Sequence, residues 1–141
     1  MISEIKIFTD GGSRGNPGPA AIGVYIADGE GKDLFRTGAQ IGHDTNNTAE
    51  YKAVLEALRW LLENVEDIAK DAKISFFMDS QLVRSQITGL FKVKNANLRN
   101  LLFEVREKEA QIKRNIFYNY IPREQNKIAD SLVNASLDNN L

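Results

Sequence analysis

The sequence predicts an α/β fold built on a five-stranded mixed sheet flanked by helices, in the order βββαβαβα. Three observations carry this reading. The first three strand-like segments are joined by short turns, which favours antiparallel pairing. After them, apolar strands alternate with segments of helical periodicity, the pattern of parallel strands joined by helices. The chain also has 141 residues, 43% of them hydrophobic, enough for one folded domain over 1–141 with a real core.

The elements follow in order. Strands are expected near residues 4–10, 20–28 and 33–41, with Asp28-Gly29-Glu30-Gly31-Lys32 as the hairpin turn between the second and third. A helix near 47–64 carries Val54, Ala57, Leu58, Leu61, Leu62 and Val65 at helical spacing. Ile74-Ser75-Phe76-Phe77-Met78 is an apolar strand ending at Asp79, and a short helix runs from Ser80 to about Thr88 before Gly89. A second helix near 97–111 presents Leu98, Leu101, Leu102 and Val105. The last strand spans 116–121 and stops at Pro122; a final helix starts near Asn126, with Ile128, Leu132, Val133 and Leu137 on its apolar side.

Composition narrows the classes. There is no cysteine, so disulfides and Cys-ligated zinc or iron–sulfur sites are excluded. No apolar run is long enough for a membrane span, and the N-terminus lacks the regions of a signal peptide, so a soluble cytoplasmic protein is expected. Net charge is −1, far from the balance of a generic nucleic-acid binder. Between Asp79 and Glu104, however, no acid occurs, while Arg84, Lys92, Lys94 and Arg99 are basic. That stretch reads equally as a phosphate-facing surface or as a solvated helix face.

Four acids stand at element ends. Asp10 ends the first strand, sharing a face with Phe8, where the backbone breaks into the glycine-rich turn Gly11-Gly12-Ser13-Arg14-Gly15-Asn16-Pro17-Gly18. Glu50 lies early in the first helix, Asp79 ends the fourth strand, and Asp130 lies in the first turns of the last helix. Each also fits a structural role: Glu50 in a capping box with Asn47 as N-cap, Asp79 as an N-cap, Asp130 on the helix macrodipole. Together they point elsewhere. Ligands in open α/β sheets gather at the carboxyl ends of strands, and four converging carboxylates repel one another unless cations are bound. An all-oxygen set suits Mg²⁺ or Mn²⁺, and two such ions roughly 3.5–4 Å apart serve in-line attack on a phosphodiester.

These segments resemble the type 1 ribonuclease H family over nearly the whole chain. Thr9-Asp10-Gly11-Gly12-Ser13 with Asn16-Pro17-Gly18 resembles its first motif and Thr45-Asn46-Asn47-Thr48-Ala49-Glu50 its second. Met78-Asp79-Ser80-Gln81-Leu82-Val83 resembles the third and Asn126-Lys127-Ile128-Ala129-Asp130 the fourth. The resemblance implies the ribonuclease H-like fold and endonucleolytic hydrolysis of the RNA strand of an RNA–DNA hybrid, leaving 5′-phosphate and 3′-hydroxyl ends. It makes Asp10 the bridge between two metal ions and sets Asp130 at the ion that activates water. Glu50 and Asp79 fall at the ion that stabilises the leaving oxygen. It further implies that Gly11, Gly12, Ser13, Arg14 and Asn16, with Asn46, Asn47 and Gln81, line the RNA strand. Thr45 and Asn95 match positions that grip a DNA-strand phosphate. A monomer with no obligate protein partner and no membrane contact is expected.

Three departures from the family pattern stand out. The connection Ile121-Pro122-Arg123-Glu124-Gln125-Asn126 is short and carries no histidine, so Arg123 and Asn126 are its auxiliary candidates; an Arg stays charged and cannot shuttle protons. The sole histidine, His43, occupies a place where some relatives have an arginine of the DNA-phosphate pocket. A long basic protrusion is missing, leaving Gly89-Leu90-Phe91-Lys92-Val93-Lys94, so weaker hybrid binding is expected, since each lost phosphate contact lowers affinity and its salt slope. The competing readings are a nuclease of the same fold preferring double-stranded RNA, a catalytically silent nucleic-acid-binding module, and a metal-free domain whose acids only cap helices.

Overall fold

The computed structural model describes residues 1–139. Its strands are β1 (Ile2–Ser13), β2 (Gly18–Asp28), β3 (Asp33–Asp44), β4 (Ile68–Met78) and β5 (Asn115–Tyr120). The helices are α1 (Asn46–Glu63), α2 (Gln81–Ile87), α3 (Ala96–Ile112) and α4 (Lys127–Leu137), with 3₁₀ turns at Val65–Asp67 and Arg123–Gln125. The sheet order is β3-β2-β1-β4-β5. The first three strands pair antiparallel, and β4 and β5 join parallel, as the connection lengths predict.

Alternation along the strands sorts the two faces. Ile5 and Ile7 of β1, Val24 and Ile26 of β2, and Ile74 and Phe76 of β4 are fully buried. Tyr51, Val54, Leu58 and Leu61 of α1 are fully buried in the same core cluster, which Leu98, Val105 and Ile112 of α3 extend. The second helix layer is α4, packed on β1, β2 and β3. Its buried side is Ala129, Val133 and Ser136; Ile128, Leu132 and Leu137, expected to lead that side, are half-buried. Small residues face the sheet because the helix backbone comes unusually close to β2.

Several element ends differ from expectation. Gly11-Gly12-Ser13 is strand and not turn: these residues pair with Ile22, Ala21 and Ala20. The turn proper is Arg14–Pro17, closed by Arg14 N–H donating to Pro19 O at 2.8 Å. β4 begins at Ile68 rather than near Ile74, its first half disguised by Lys70, Asp71 and Lys73. The Asp28 turn forms as read, with Asp28 Oδ1 accepting the Glu30 and Lys32 N–H groups at 2.9 Å each. Among the described residues, no helix is long and apolar enough to cross a membrane.

Candidate active site

Thr9 and Met78 are the last pair between β1 and β4, so Asp10 and Asp79 stand at the same level just past that pairing, Asp10 inside β1 and not at its end as expected. Asp10 is 2% exposed and sits beside Gly23 in the β1–β2 register. Glu50 reaches this point from the second turn of α1, where its Oε1 accepts the Gly11 N–H at 3.2 Å. One oxygen from each of Asp10, Glu50 and Asp79 lies within 4.8 Å of the others. Asp130, from the first turn of α4, lines the same cleft of about 300 Å³ but stands apart from that tight group, its Oδ2 accepting from Asn134 Nδ2 at 3.4 Å.

Two glycines make the convergence possible. A Cβ on Gly11 would lie 2.3 Å from the Ala49 carbonyl carbon, so only glycine lets α1 bring Glu50 against β1. A Cβ on Gly23 would lie 2.2 Å from the Ala129 carbonyl oxygen, so the same device on β2 admits α4 and Asp130. Neither contact is visible as a motif. For Gly23 the signal available in sequence was a glycine inside an expected strand, which marks close backbone approach; Gly11 read as part of a turn.

The capping roles fall elsewhere than the simple readings place them. Thr45, not Asn47, caps α1, its side chain accepting from Thr48 N–H, so Glu50 lies beyond capping-box range. Ser80, not Asp79, caps α2 by accepting from Val83 N–H at 3.2 Å. Both acids are thereby free of the structural duty that would have explained them. Asp79 Oδ2 instead accepts from Asn126 Nδ2 at 3.3 Å, and the same nitrogen donates to Thr9 O at 2.9 Å.

Burial and crowding set the electrostatics. Asp10 is pushed up from 3.8 to about 7, first by burial and then by the charges of Asp79 and Asp130. Burial, followed by Asp10, holds Glu50 well above the ordinary carboxylate range. Asp79 is also raised by burial, with the Asn126 hydrogen bond and the Arg123 charge opposing. Asp10 Oδ1 is buried and receives no hydrogen bond from the protein.

Of the other sequence candidates, Gly11, Gly12, Ser13, Arg14, Asn46, Asn47 and Arg123 line the cleft. Asn46 Oδ1 accepts from Ser13 N–H and Oγ–H at 2.8 and 3.1 Å, and Asn16 Oδ1 accepts the Asn46 N–H at 3.0 Å, so turn and helix start are one unit. Arg14 is ion-paired with Asp138 at 2.6 Å. Gln81, exposed at the start of α2, is not among the cleft-lining residues. Thr45 and Asn95 both serve as N-caps, Asn95 accepting from Leu98 N–H at 3.0 Å. His43 is exposed on β3. In the basic stretch, Arg84 donates to Tyr118 O at 3.2 Å and is half-buried, whereas Lys92, Lys94 and Arg99 are exposed.

A mixed sheet of order 3-2-1-4-5, with carboxylates where the pairing of its two central strands stops, has the ribonuclease H fold. The Reverse transcriptase-like family matches residues 8–136. The chain is similar to LC11-RNase H1 from compost, solved in complex with an RNA/DNA hybrid: 41% identity, TM-score 0.91, covering 96% of this chain and 97% of that one. It is 38% identical to Ribonuclease HI of Halobacterium salinarum, over 96% of this chain and 65% of that protein. A bifunctional protein of Mycobacterium tuberculosis is 36% identical over 96% of this chain, which spans only 36% of that protein's length. The chain belongs to the type 1 ribonuclease H family.

Proposed function

We propose that this chain is an endoribonuclease that hydrolyses the RNA strand of RNA–DNA hybrids by a two-metal mechanism, leaving 5′-phosphate and 3′-hydroxyl ends. The observation that carries the reading is the cluster of Asp10, Glu50 and Asp79, within which Asp10 Oδ1 is buried with no protein donor. A buried carboxylate oxygen without a partner is costly. A divalent cation relieves that cost and the repulsion among the acids together. The donors are all oxygen, which fits Mg²⁺ or Mn²⁺, with Asp10, Glu50, Asp79 and Asp130 as the residues that would hold the ions. When bound, such ions lower the pKa of water and neutralise charge on the departing oxygen.

The protein's own contribution is position. Gly11 N–H fixes the Glu50 carboxylate, and Asn126 fixes Asp79 against the backbone of β1. Because Asn46 Oδ1 is engaged by Ser13, its amide nitrogen is left to donate. Together with Ser13 and Asn47 it offers the groups that recognise 2′-hydroxyls across a shallow minor groove. Arg123 draws the phosphate chain toward the cleft by charge alone. The likeness to a ribonuclease H1 solved with an RNA/DNA hybrid supports the hybrid as substrate.

The test is cleavage of one labelled RNA strand presented as hybrid and as double-stranded RNA, with Mg²⁺, Mn²⁺ or EDTA. Hybrid-selective, EDTA-sensitive cutting is expected, and Asp10→Asn should reduce it by about 10³-fold or more. Preference for double-stranded RNA would overturn the substrate assignment, and wild-type rates for Asp10→Asn would overturn the metal assignment.

A further inference from the structure

The turn after β1 and the end of α4 meet at one rim of the cleft. Arg14 lines the cleft, as do Val133, Asn134 and Leu137 from the second half of α4. One residue past that helix, Asp138 holds Arg14, its Oδ1 lying 2.6 Å from the guanidinium Nη1. The two side chains are 50% and 46% exposed, so a ligand in the cleft can reach the pair. Neither backbone depends on it. Arg14 N–H donates to Pro19 O at 2.8 Å, and Asp138 N–H donates to Asn134 O at 2.9 Å. Gln40 Nε2 ties the same end of α4 to β3, donating to Ser136 O at 2.9 Å and to Asn139 Oδ1 at 2.7 Å. The pair can therefore part by rotation of two side chains, with none of these bonds broken.

We propose that Asp138 sets the affinity of the cleft for its substrate: its carboxylate occupies Arg14 in the free protein, and a phosphate of the RNA strand displaces it. The proposal rests on the function argued above, in which the RNA strand lies in this cleft. A guanidinium presents a planar fork of donors that fits carboxylate and phosphate alike, so the partner it holds is a stand-in for the one it can take. The mask matters because cations are few here. Among the described residues that line the cleft, Arg14 and Arg123 are the only ones with a positive charge, against four acids. An exposed ion pair is weak, so phosphate lifts the mask readily. The exchange also runs backward: as the strand leaves, Asp138 takes the guanidinium again, and Arg14 has a partner other than product. Asp138 acts only through Arg14 and is a positioning residue.

The experiment is a double-mutant cycle on affinity, using the full chain as wild type, Asp138→Asn, Arg14→Ala and the two together. Each is titrated into a fluorescein-labelled RNA–DNA hybrid at low salt in EDTA, and Tm is measured alongside. Asp138→Asn should tighten binding by about two- to fivefold, the scale of one exposed ion pair. In the Arg14→Ala background the same change should shift affinity by less than about 1.5-fold, because the partner it frees is gone. Asp138→Glu, which keeps the carboxylate, should bind as the wild type does. Equal effects of Asp138→Asn in both backgrounds would make it a mere charge near the cleft and overturn the proposal. Coupling in Tm with none in affinity would overturn it too, since a purely structural pair behaves that way. Cleavage of hybrid by the wild type is scored separately in Mg²⁺. Coupled binding in a chain that cleaves no hybrid would sink the nuclease reading and leave the role of Asp138 standing; cleavage without coupling would do the reverse.

Discussion

Asp10 ionises against its surroundings. Its pKa is about 7 where an ordinary Asp lies at 3.8, because burial and the neighbouring acids disfavour the anion. In the unfolded chain the group is ionised above pH ~4. Stability present below that pH is therefore lost as pH rises from about 4 through about 7 in the absence of metal. Asp10→Asn removes the effect, so the variant should gain on the wild type across that window, on the order of 4 kcal/mol by pH 7.5. Paired melting curves in EDTA at pH 4, 5.5 and 7.5 check this; a Tm difference that stays constant with pH would contradict it. The same proton competes with cations, so Mg²⁺ affinity should fall as pH drops below about 7. Asp10, Glu50 and Asp79 were legible as a set because each lies in a segment that resembles a family motif, although Asp10 falls inside β1 and not at its end. Asn126 was legible only as a neighbour of Asp130, since its partner Thr9 O lies 117 residues away and no local pattern announces it.

At the scale of elements, the site depends on how closely two helices approach one sheet. Gly23→Ala places a methyl group against the Ala129 carbonyl and must push α4 outward. The expected cost is about 1–3 kcal/mol from overpacking. Because Asp130 rides on the displaced helix, the gain in Tm on adding Mg²⁺ should shrink as well. Calorimetry with and without Mg²⁺ separates the two effects, and an unchanged Mg²⁺ gain would show that α4 does not need to sit so close. Helix periodicity revealed α1 and α3 almost to their ends, since long apolar repeats survive without context. The extension of β1 through Gly11-Gly12-Ser13 was hidden, because Gly11, which signals a turn locally, is required by the close approach of α1. The caps were misassigned for a related reason: Asn47 and Asp79 have cap chemistry, but Thr45 and Ser80 hold the caps.

For the molecule as a whole, charge is nearly balanced, and its distribution decides what it attracts. With Arg84 tied to Tyr118 O, the exposed basic group reduces to Lys92, Lys94 and Arg99, beside Leu90 and Phe91, which are 68% and 53% exposed. Lys92→Ala with Lys94→Ala should lower the slope of log affinity against log salt for hybrid by roughly 1–2, one increment of about 0.7–0.9 per lost phosphate contact. An unchanged slope would remove this patch from the interface. Strand directions were legible from connection lengths and periodicity, because short turns favour antiparallel neighbours and helical crossovers permit parallel ones; the place of β4 beside β1 was not. The bond from Asn126 to Thr9 O carries a consequence in time. Domains assemble from the N-terminus as the chain is made, and a nascent chain that ends at Tyr120 already holds Asp10, Glu50 and Asp79 but neither the amide that fixes Asp79 nor Asp130. Such a chain has Glu50 held by the Gly11 N–H but Asp79 unsecured, so, on the proposed metal role, cation binding should strengthen only when the fourth motif emerges and docks.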